Sequence, residues 1–477
     1  MGQEVSLAHF DADAFEHFYR KLEQETRSLG QLIATKNCSE RQPVAGFEIE
    51  AWLIDAAMQA APINEHFLTT LKDPLACAEL AKFNIEFNST PIALNDNVFS
   101  RMHTQLQSIW DKAYSHAENL NCRILMTGSL PTLQATDLNL GNMSNLNRYR
   151  ALNEQILQAR GKPIHLDING VEHLKMDHDD VMLESATTSF QIHTQVPLAI
   201  AHCYYNAAII ASAPLAALCA NTPFLFGKQL WHESRIPLFE QAIETGGFAD
   251  AAQGPLKRVS FGSDYARKSI MECFQENLDH FPVLLPENLD SADAAFAHLR
   301  LHNGTIWRWN RPLLGFDEDG TAHIRIEHRV PAAGPSVLDT IANAAVFYGL
   351  TKNLCDEMTQ HKIPLPFAQA RDNFYQAARY GLNANVIWFD GHKQPLLNLL
   401  QSELLQRARL GLKSLGVATS DSEDYLDIIR QRLATQRNGS LWQREFMATH
   451  PGDFTLMTRH YLKNQNSGKP VSEWTIN

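Results

Sequence analysis

The stretch Gly46-Phe47-Glu48-Ile49-Glu50-Ala51-Trp52-Leu53-Ile54-Asp55 constrains this chain more than any other. Alternation along a strand puts Glu48, Glu50 and Trp52 on one face and Phe47, Ile49, Ala51 and Leu53 on the other. Two glutamates two positions apart, with no cation near them in sequence, make a poor strand surface because like charges repel. They make a good site for a hard divalent cation, which wants several carboxylate oxygens converging. For this decapeptide alone an ordinary half-exposed strand competes with that reading, and the faces of other strands decide between the two.

Three more strands carry matching faces. Lys82 to Pro91 alternates with Asn84, Glu86 and Asn88 on one side. Thr187 to Val196 presents Ser189, Gln191, His193 and Gln195 opposite Phe190, Ile192 and Val196. His323 to Val330 presents His323, Arg325, Glu327 and Arg329 opposite Ile324, Ile326 and Val330. None of the face residues just named is a lysine, the usual mark of a merely solvated edge. Paired in one curved sheet, they would line its concave side with acids, amides and His193. A lone buried histidine is more often structural, and His193 stands out only through its amide strand-mates and acidic neighbours. Carboxylates plus one imidazole suit Mg²⁺ or Mn²⁺ better than zinc. Arginines beside Glu327 would meet an anion held by such metals, as phosphoryl transfer requires. The run Asp177-His178-Asp179-Asp180, in a segment read as loop over 161–184, is assigned to solvent, because consecutive residues splay apart. No glycine-rich phosphate loop, dinucleotide fingerprint, His-Glu-x-x-His or Gly-x-Ser-x-Gly motif occurs.

Composition narrows the partners. The 477 residues carry a net charge of −12 without any basic block, which argues against nucleic acid and anionic membrane. Seven scattered cysteines without a Cys-x-x-Cys pair predict reduced thiols in a cytoplasm. No basic stretch followed by an apolar core follows Met1, so no signal peptide is expected. The apolar run from Pro197 to Phe226 is broken by His202, Asn206, Pro214 and Asn221 and predicts a buried helix or helix pair, not a membrane span. Helices are predicted over 11–33, 71–80, 99–120 and 145–160, and strands over 123–128 and 305–311. From Ser336 the chain reads helical nearly to its end, with turns near 363–366 and 390–395 and at Gly416 and Gly439. Without repeats or linkers, one integrated domain with a helical C-terminal portion is expected.

In order and spacing these segments resemble glutamate–cysteine ligases and related carboxylate–amine ligases, whose fold is similar to glutamine synthetase. Gly46-Phe47-Glu48-Ile49-Glu50 resembles that family's Gly-x-Glu-x-Glu first strand, and Ile85 to Pro91 its second acidic strand, ending in Thr-Pro. Thr187 to His193 is similar to its Thr/Ser-rich strand, and Ile326-Glu327-His328-Arg329 to its Glu-x-Arg strand. Arg308 to Pro312, Ala378 to Leu382, and Phe224 to Gly227 with Glu233-Ser234-Arg235 and Phe239-Glu240-Gln241 are similar to the carboxylate–amine ligase branch. The resemblance spans about 46 to 385, with no counterpart assigned after Gly381.

It implies an α+β fold in which a curved, mainly antiparallel sheet forms a funnel with helices outside. Residues 1–385, helix 11–33 included, would be the catalytic domain, and 386–477 a helical extension packed on it. The implied reaction is ATP-dependent amide formation through an acyl phosphate, with glutamate and cysteine as small-molecule substrates. Mg²⁺, or Mn²⁺, would be held by Glu48, Glu50, Glu86, His193 and Glu327. Arg329 and Arg325 would act on the transferred phosphate. Gln191, Arg311, Arg379 and Arg235 would bind substrate, with a structural ion pair as the competing reading of each arginine. Asn84 and Asn88 stand where further acids would complete a metal shell, and Glu79 lies just ahead of the strand as a substitute. A ligase of another amine and a non-catalytic metal–nucleotide-binding regulator are the alternatives; a homo-oligomer is compatible with all three.

Overall fold

The computed structural model describes residues 4–7, 9–245, 256–289, 295–360 and 365–476. Its centre is one curved sheet built on the 11-residue strand β1 (Val44–Ile54). Around it lie β2 (Ala76–Ala78), β3 (Asn84–Asn88), β4 (Phe190–Val196), β5 (Asn310–Phe316) and β6 (Ala322–His328), in the order β5-β6-β4-β1-β3-β2. Every neighbouring pair is antiparallel. Short strands Ile92–Ala93 and Arg123–Leu125 pair with the two ends of β1.

The alternation read from sequence holds across the sheet. Phe47, Ile49, Ile85, Phe87, Phe190, Ile192, Ile324 and Ile326 are buried on the convex side. Helices α2 (Val98–Asn119), α4 (Ala201–Leu218) and α5 (Val337–Gln360) cover that side, whereas α1 (Ala12–Ala34) packs on the helices Met271–His280 and Ala297–Gly304 and α3 (Asn147–Arg160) lies across the polar face. The α5 ring of Phe347 stacks on His328 at 4.2 Å, and Tyr348 Oη lies 3.1 Å from the carbonyls of both Gly46 and His193. Leu198–Leu218 is long and apolar enough to cross a membrane, yet 83% of its apolar window is buried inside the fold.

The C-terminal helices are α6 (Phe367–Tyr380), α7 (Leu405–Ser414), α8 (Thr419–Thr435) and α9 (Phe454–Asn466). They are tied into the same core. A Cβ on Gly411 of α7 would sit 1.8 Å from the Gly349 carbonyl of α5, so only glycine permits that crossing. Arg432 of α8, fully buried, pairs with Asp339 at 2.8 Å, and Gln465 of α9 exchanges bonds with the backbone of Met126. Asp421 accepts from the first backbone amides of α2.

Several sequence expectations shift. The helix expected at 71–80 is Asn64–Leu71, stopped by Lys72 in the left-handed region and by Pro74; the rest becomes β2. The strand expected at 305–311 starts only at Asn310, because the Trp307 and Trp309 amides bond Arg258 and Ser260 instead. The supposed loop 161–184 is a hairpin, Ile164–Asn169 with His173–His178, followed by a 3-10 turn over Val181–Ala186. Ile164, Leu166 and Ile168 alternate buried there, and Asn169-Gly170 is a hairpin turn signal. Asp177 pairs with His165 and Asp180 with His178, so that acidic run does not converge. The turn near 390–395 lies inside a small hairpin, Asn385–Ile387 with Lys393–Pro395. Half of the turn expected at 363–366, and the segment Met1 to Gln3, lie outside the described residues.

Candidate active site

Strand register arranges the polar face in rows. Arg311, Glu327, His193 and Gly46 are successive partners from β5 to β1. The next row joins Gln191, Glu48 and Asn88, and the one after pairs Glu50 with Glu86 and Glu86 with Cys77. These rows floor a cavity of about 290 Å³, walled by α3 residues Arg148, Tyr149, Leu152 and Ile156 among others.

His193 sits beneath the floor, with Nε2 3.6 Å from Glu48 Oε1 and 3.8 Å from Glu327 Oε1. Burial pushes its imidazole down to about 4, so it is neutral at physiological pH. Nε2 is fully buried and has no hydrogen-bond partner among the described residues. A buried nitrogen left unbonded between two carboxylates is costly in a bare protein but correct for a metal ligand. Two ligand atoms each about 2.1 Å from one ion lie roughly 3 to 4 Å apart, as these do. Among the described residues, Glu48, His193 and Glu327 form the group whose ligand atoms converge. The donor set fits Mg²⁺ or Mn²⁺.

Glu50 and Glu86, expected in the same shell, stand apart from that trio. Glu50 Oε2 accepts the Ser189 amide at 2.8 Å, and Oε1 accepts Ser189 Oγ at 2.8 Å and Gln191 Nε2 at 3.2 Å. Glu86 Oε1 accepts Asn88 Nδ2 at 3.0 Å and Cys77 Sγ at 3.3 Å. Glu79 and Glu184 line the cavity beside them. Burial, reinforced by the neighbouring carboxylates, pushes Glu86 and Glu184 up to about 8 and Glu79 to about 7. Glu50 is raised too, chiefly by burial and then by Glu86, against its Ser189 bonds. Four carboxylates thus crowd the β3 end of the cavity and call for a cation there.

The arginines divide. Arg311, expected at a substrate carboxylate, spends its guanidinium on the protein: Nε and Nη2 reach Glu327 at 2.8 and 3.0 Å. Its Nη1 serves the carbonyls of Asn303, Gly304 and Ile306. Burial alone would raise Glu327, but Arg311, Arg329 and His193 hold it well below the usual carboxylate range. Arg235 is likewise buried, bonded to Glu233 at 3.2 Å and to the carbonyls of Arg329 and Val330. Arg379 lies over the Trp231 and Tyr380 rings and does not line the cavity. Arg325 and Arg329 do line it. Arg329 donates to Gln191 Oε1 and lies 3.5 Å from Glu327, whereas the buried Nε of Arg325 has no partner among the described residues. Gln191 is therefore used at both ends, between Glu50 and Arg329. Glu184, Arg300, Arg148 and Tyr149 are cavity residues that the strand pattern did not reveal, since they sit on helices and a 3-10 turn.

A sequence model of glutamate-cysteine ligase family 2 matches residues 44–468. The chain belongs to this family. As a member of glutamate-cysteine ligase family 2 it is an ATP-dependent carboxylate–amine ligase. The match runs well past residue 385, so the C-terminal helices, for which the sequence offered no counterpart, are part of the family's unit. A comparison with curated proteins finds no match. Among solved structures, the glutamate–cysteine ligase of Francisella tularensis, in complex with AMP, superposes with a TM-score of 0.54 at 11% identity, over 92% of this chain and 91% of that one. A bifunctional glutathione synthetase from Pasteurella multocida superposes with a TM-score of 0.50 at 12% identity, over 92% of this chain and 54% of its own. At such identities the likeness is one of fold, the glutamine-synthetase-like α+β architecture that the family shares.

Proposed function

We propose that this ligase joins the side-chain carboxyl of glutamate to the amine of cysteine, using ATP. The observation that carries the reading is the Glu48–His193–Glu327 group, flanked by Arg311 and Arg329 at the cavity floor. The Francisella relative, named as a glutamate–cysteine ligase and holding AMP, supports the choice of substrates and of a nucleotide. Glu48, His193 and Glu327 would hold one divalent cation, and Glu50 and Glu86 would hold another. Bound there, Mg²⁺ would neutralise the oxygens of the ATP phosphates.

The chain's own residues account for the rest. The acid's carboxylate oxygen attacks the γ-phosphorus and ADP leaves, giving an acyl phosphate. Arg329, held by Gln191 and Glu327, and Arg325, with an unused buried Nε, face the charge that grows on the transferred group. The amine then attacks the acyl carbon and phosphate departs. The carboxyls Glu79 and Glu184, away from Arg311 and Arg325, would draw that amine in as its cation and accept its proton before it attacks. The apolar side chains Leu152 and Ile156 of α3 line the cavity and would limit water at the acyl phosphate. An ADP-release assay with glutamate and a panel of amines tests the assignment: cysteine should give the highest kcat/KM. Faster turnover with another amine would move the enzyme to a different acceptor, and ADP release without any added amine would mark hydrolysis.

A further inference from the structure

Residues 4–7, ahead of α1, are held against the fold. Val5 is only 2% exposed, although five residues separate it from the Asp11 cap of α1. Its neighbours bind two separate segments that line the cavity. Glu4 Oε1 accepts the backbone amide of Arg148 at 3.1 Å, in the first turn of α3, where Leu146 supplies no side-chain cap. Asn147 Nδ2 donates to the Ser6 carbonyl at 3.1 Å. From the other side Glu287, two residues from the cavity-lining Leu285, accepts both the Ser6 amide at 3.0 Å and the Ser6 hydroxyl at 2.5 Å.

The geometry points to a latch: residues 4–7 tie the start of α3 to the segment around Glu287 and restrict entry to the cavity until they release. Four bonds hold the strap, one at Glu4 and three at Ser6, and the carboxylates that hold it, Glu4 and Glu287, take no part in the floor. Opening therefore costs a few hydrogen bonds and one small buried side chain, and leaves the sheet intact. The latch operates whichever amine the ligase accepts.

The test places a probe inside. In full-length protein, Leu152→Cys puts a thiol on the α3 wall of the cavity, read by mass spectrometry of its own peptide during labelling with fluorescein maleimide. Cys355, fully buried in α5, reports opening of the whole fold in the same samples. Glu287→Gln and the pair Glu4→Ala/Ser6→Ala each weaken charge-assisted bonds, so labelling at position 152 should accelerate roughly tenfold with Cys355 unchanged. An unchanged rate at 152, or an equal rise at Cys355, overturns the latch. Neither result depends on turnover, so failure of the substrate assignment would show separately, in the ADP-release assay.

Discussion

Replacing Arg311 by methionine discriminates sharply between a substrate clamp and a structural partner. Methionine fills much of the arginine stem but removes the two bonds that bracket Glu327 at 2.8 and 3.0 Å, and the three carbonyl bonds at Nη1. Breaking a buried pair from one side costs about 3–5 kcal/mol, because the remaining charge is left uncompensated. Arg329 stays 3.5 Å from Glu327, which places the loss toward the lower end. With roughly 2 cal/mol/K of unfolding entropy per residue, a chain of this size unfolds with about 1 kcal/mol/K, so Tm should fall by about 3–5 °C.

The pH dependence gives the sign. In the parent, Glu327 lies below its ordinary 4.5, so its pairing stabilises above that pH and is lost only as pH falls through its low folded value. In the variant burial dominates, the carboxyl rises above 4.5, and protonation at lower pH relieves it. Melting in EDTA should show a deficit against the parent that is largest near pH 8 and shrinks toward pH 5. Adding Glu327→Gln to Arg311→Met should recover most of the loss, because no charge is then stranded. An Arg311→Met protein that melts within about 1 °C of the parent, but shows a raised KM for the acid, would refute this reasoning and restore Arg311 as a substrate clamp.

Other predictions use the same measurements. Arg329→Ala should lower kcat by about a hundredfold or more with little change in KM for ATP, since the charge it meets grows in the transition state; steady-state kinetics decide it. Glu48→Gln should fold normally in EDTA and bind one Mn²⁺ fewer than the parent by calorimetry, with nearly all activity lost; an unchanged Mn²⁺ stoichiometry and affinity would remove Glu48 from the metal group. Glu79, Glu86 and Glu184 are raised to about 7, 8 and 8, so the metal-free protein should lose stability as pH rises from about 5 to 8, where the unfolded chain ionises first. Mg²⁺ should abolish that slope in thermal melts, and a slope unchanged by the metal would mean that these carboxyls do not meet it.

How much of this was legible follows from what a strand displays. Alternation exposes every second residue, so Glu48, Glu50, Glu86, Gln191, His193, Arg325, Glu327 and Arg329 could be assigned to one face before any pairing was known. Register was not legible. It separates Glu48, His193 and Glu327, which meet, from Glu50 and Glu86, which pair one row away. Nor was the fate of Arg311, which depends on facing Glu327 directly across β5 and β6. Glu184 was hidden because a six-residue 3-10 turn has no periodicity, and the hairpin before it was overlooked although Ile164, Leu166 and Ile168 alternate.

The strand order itself carries a functional consequence. Arg311 and Arg325 come from β5 and β6, at one edge of the sheet, whereas Glu86 and the adjoining Glu79 come from β3 and the segment after β2, at the other. Between them, β4 and β1 set His193 and Glu48 at the centre. Arginines thus gather toward one end of the cavity and carboxyls toward the other, with Glu48, His193 and Glu327 between them. On the proposed reaction, the phosphates of ATP would be drawn to the first end and a cationic amine to the second, so nucleotide and amine would meet over Glu48, His193 and Glu327 without competing for one subsite. Exchanging those ends would need a different strand order, not a different set of residues, which is why the chemistry and the topology of this sheet cannot be separated.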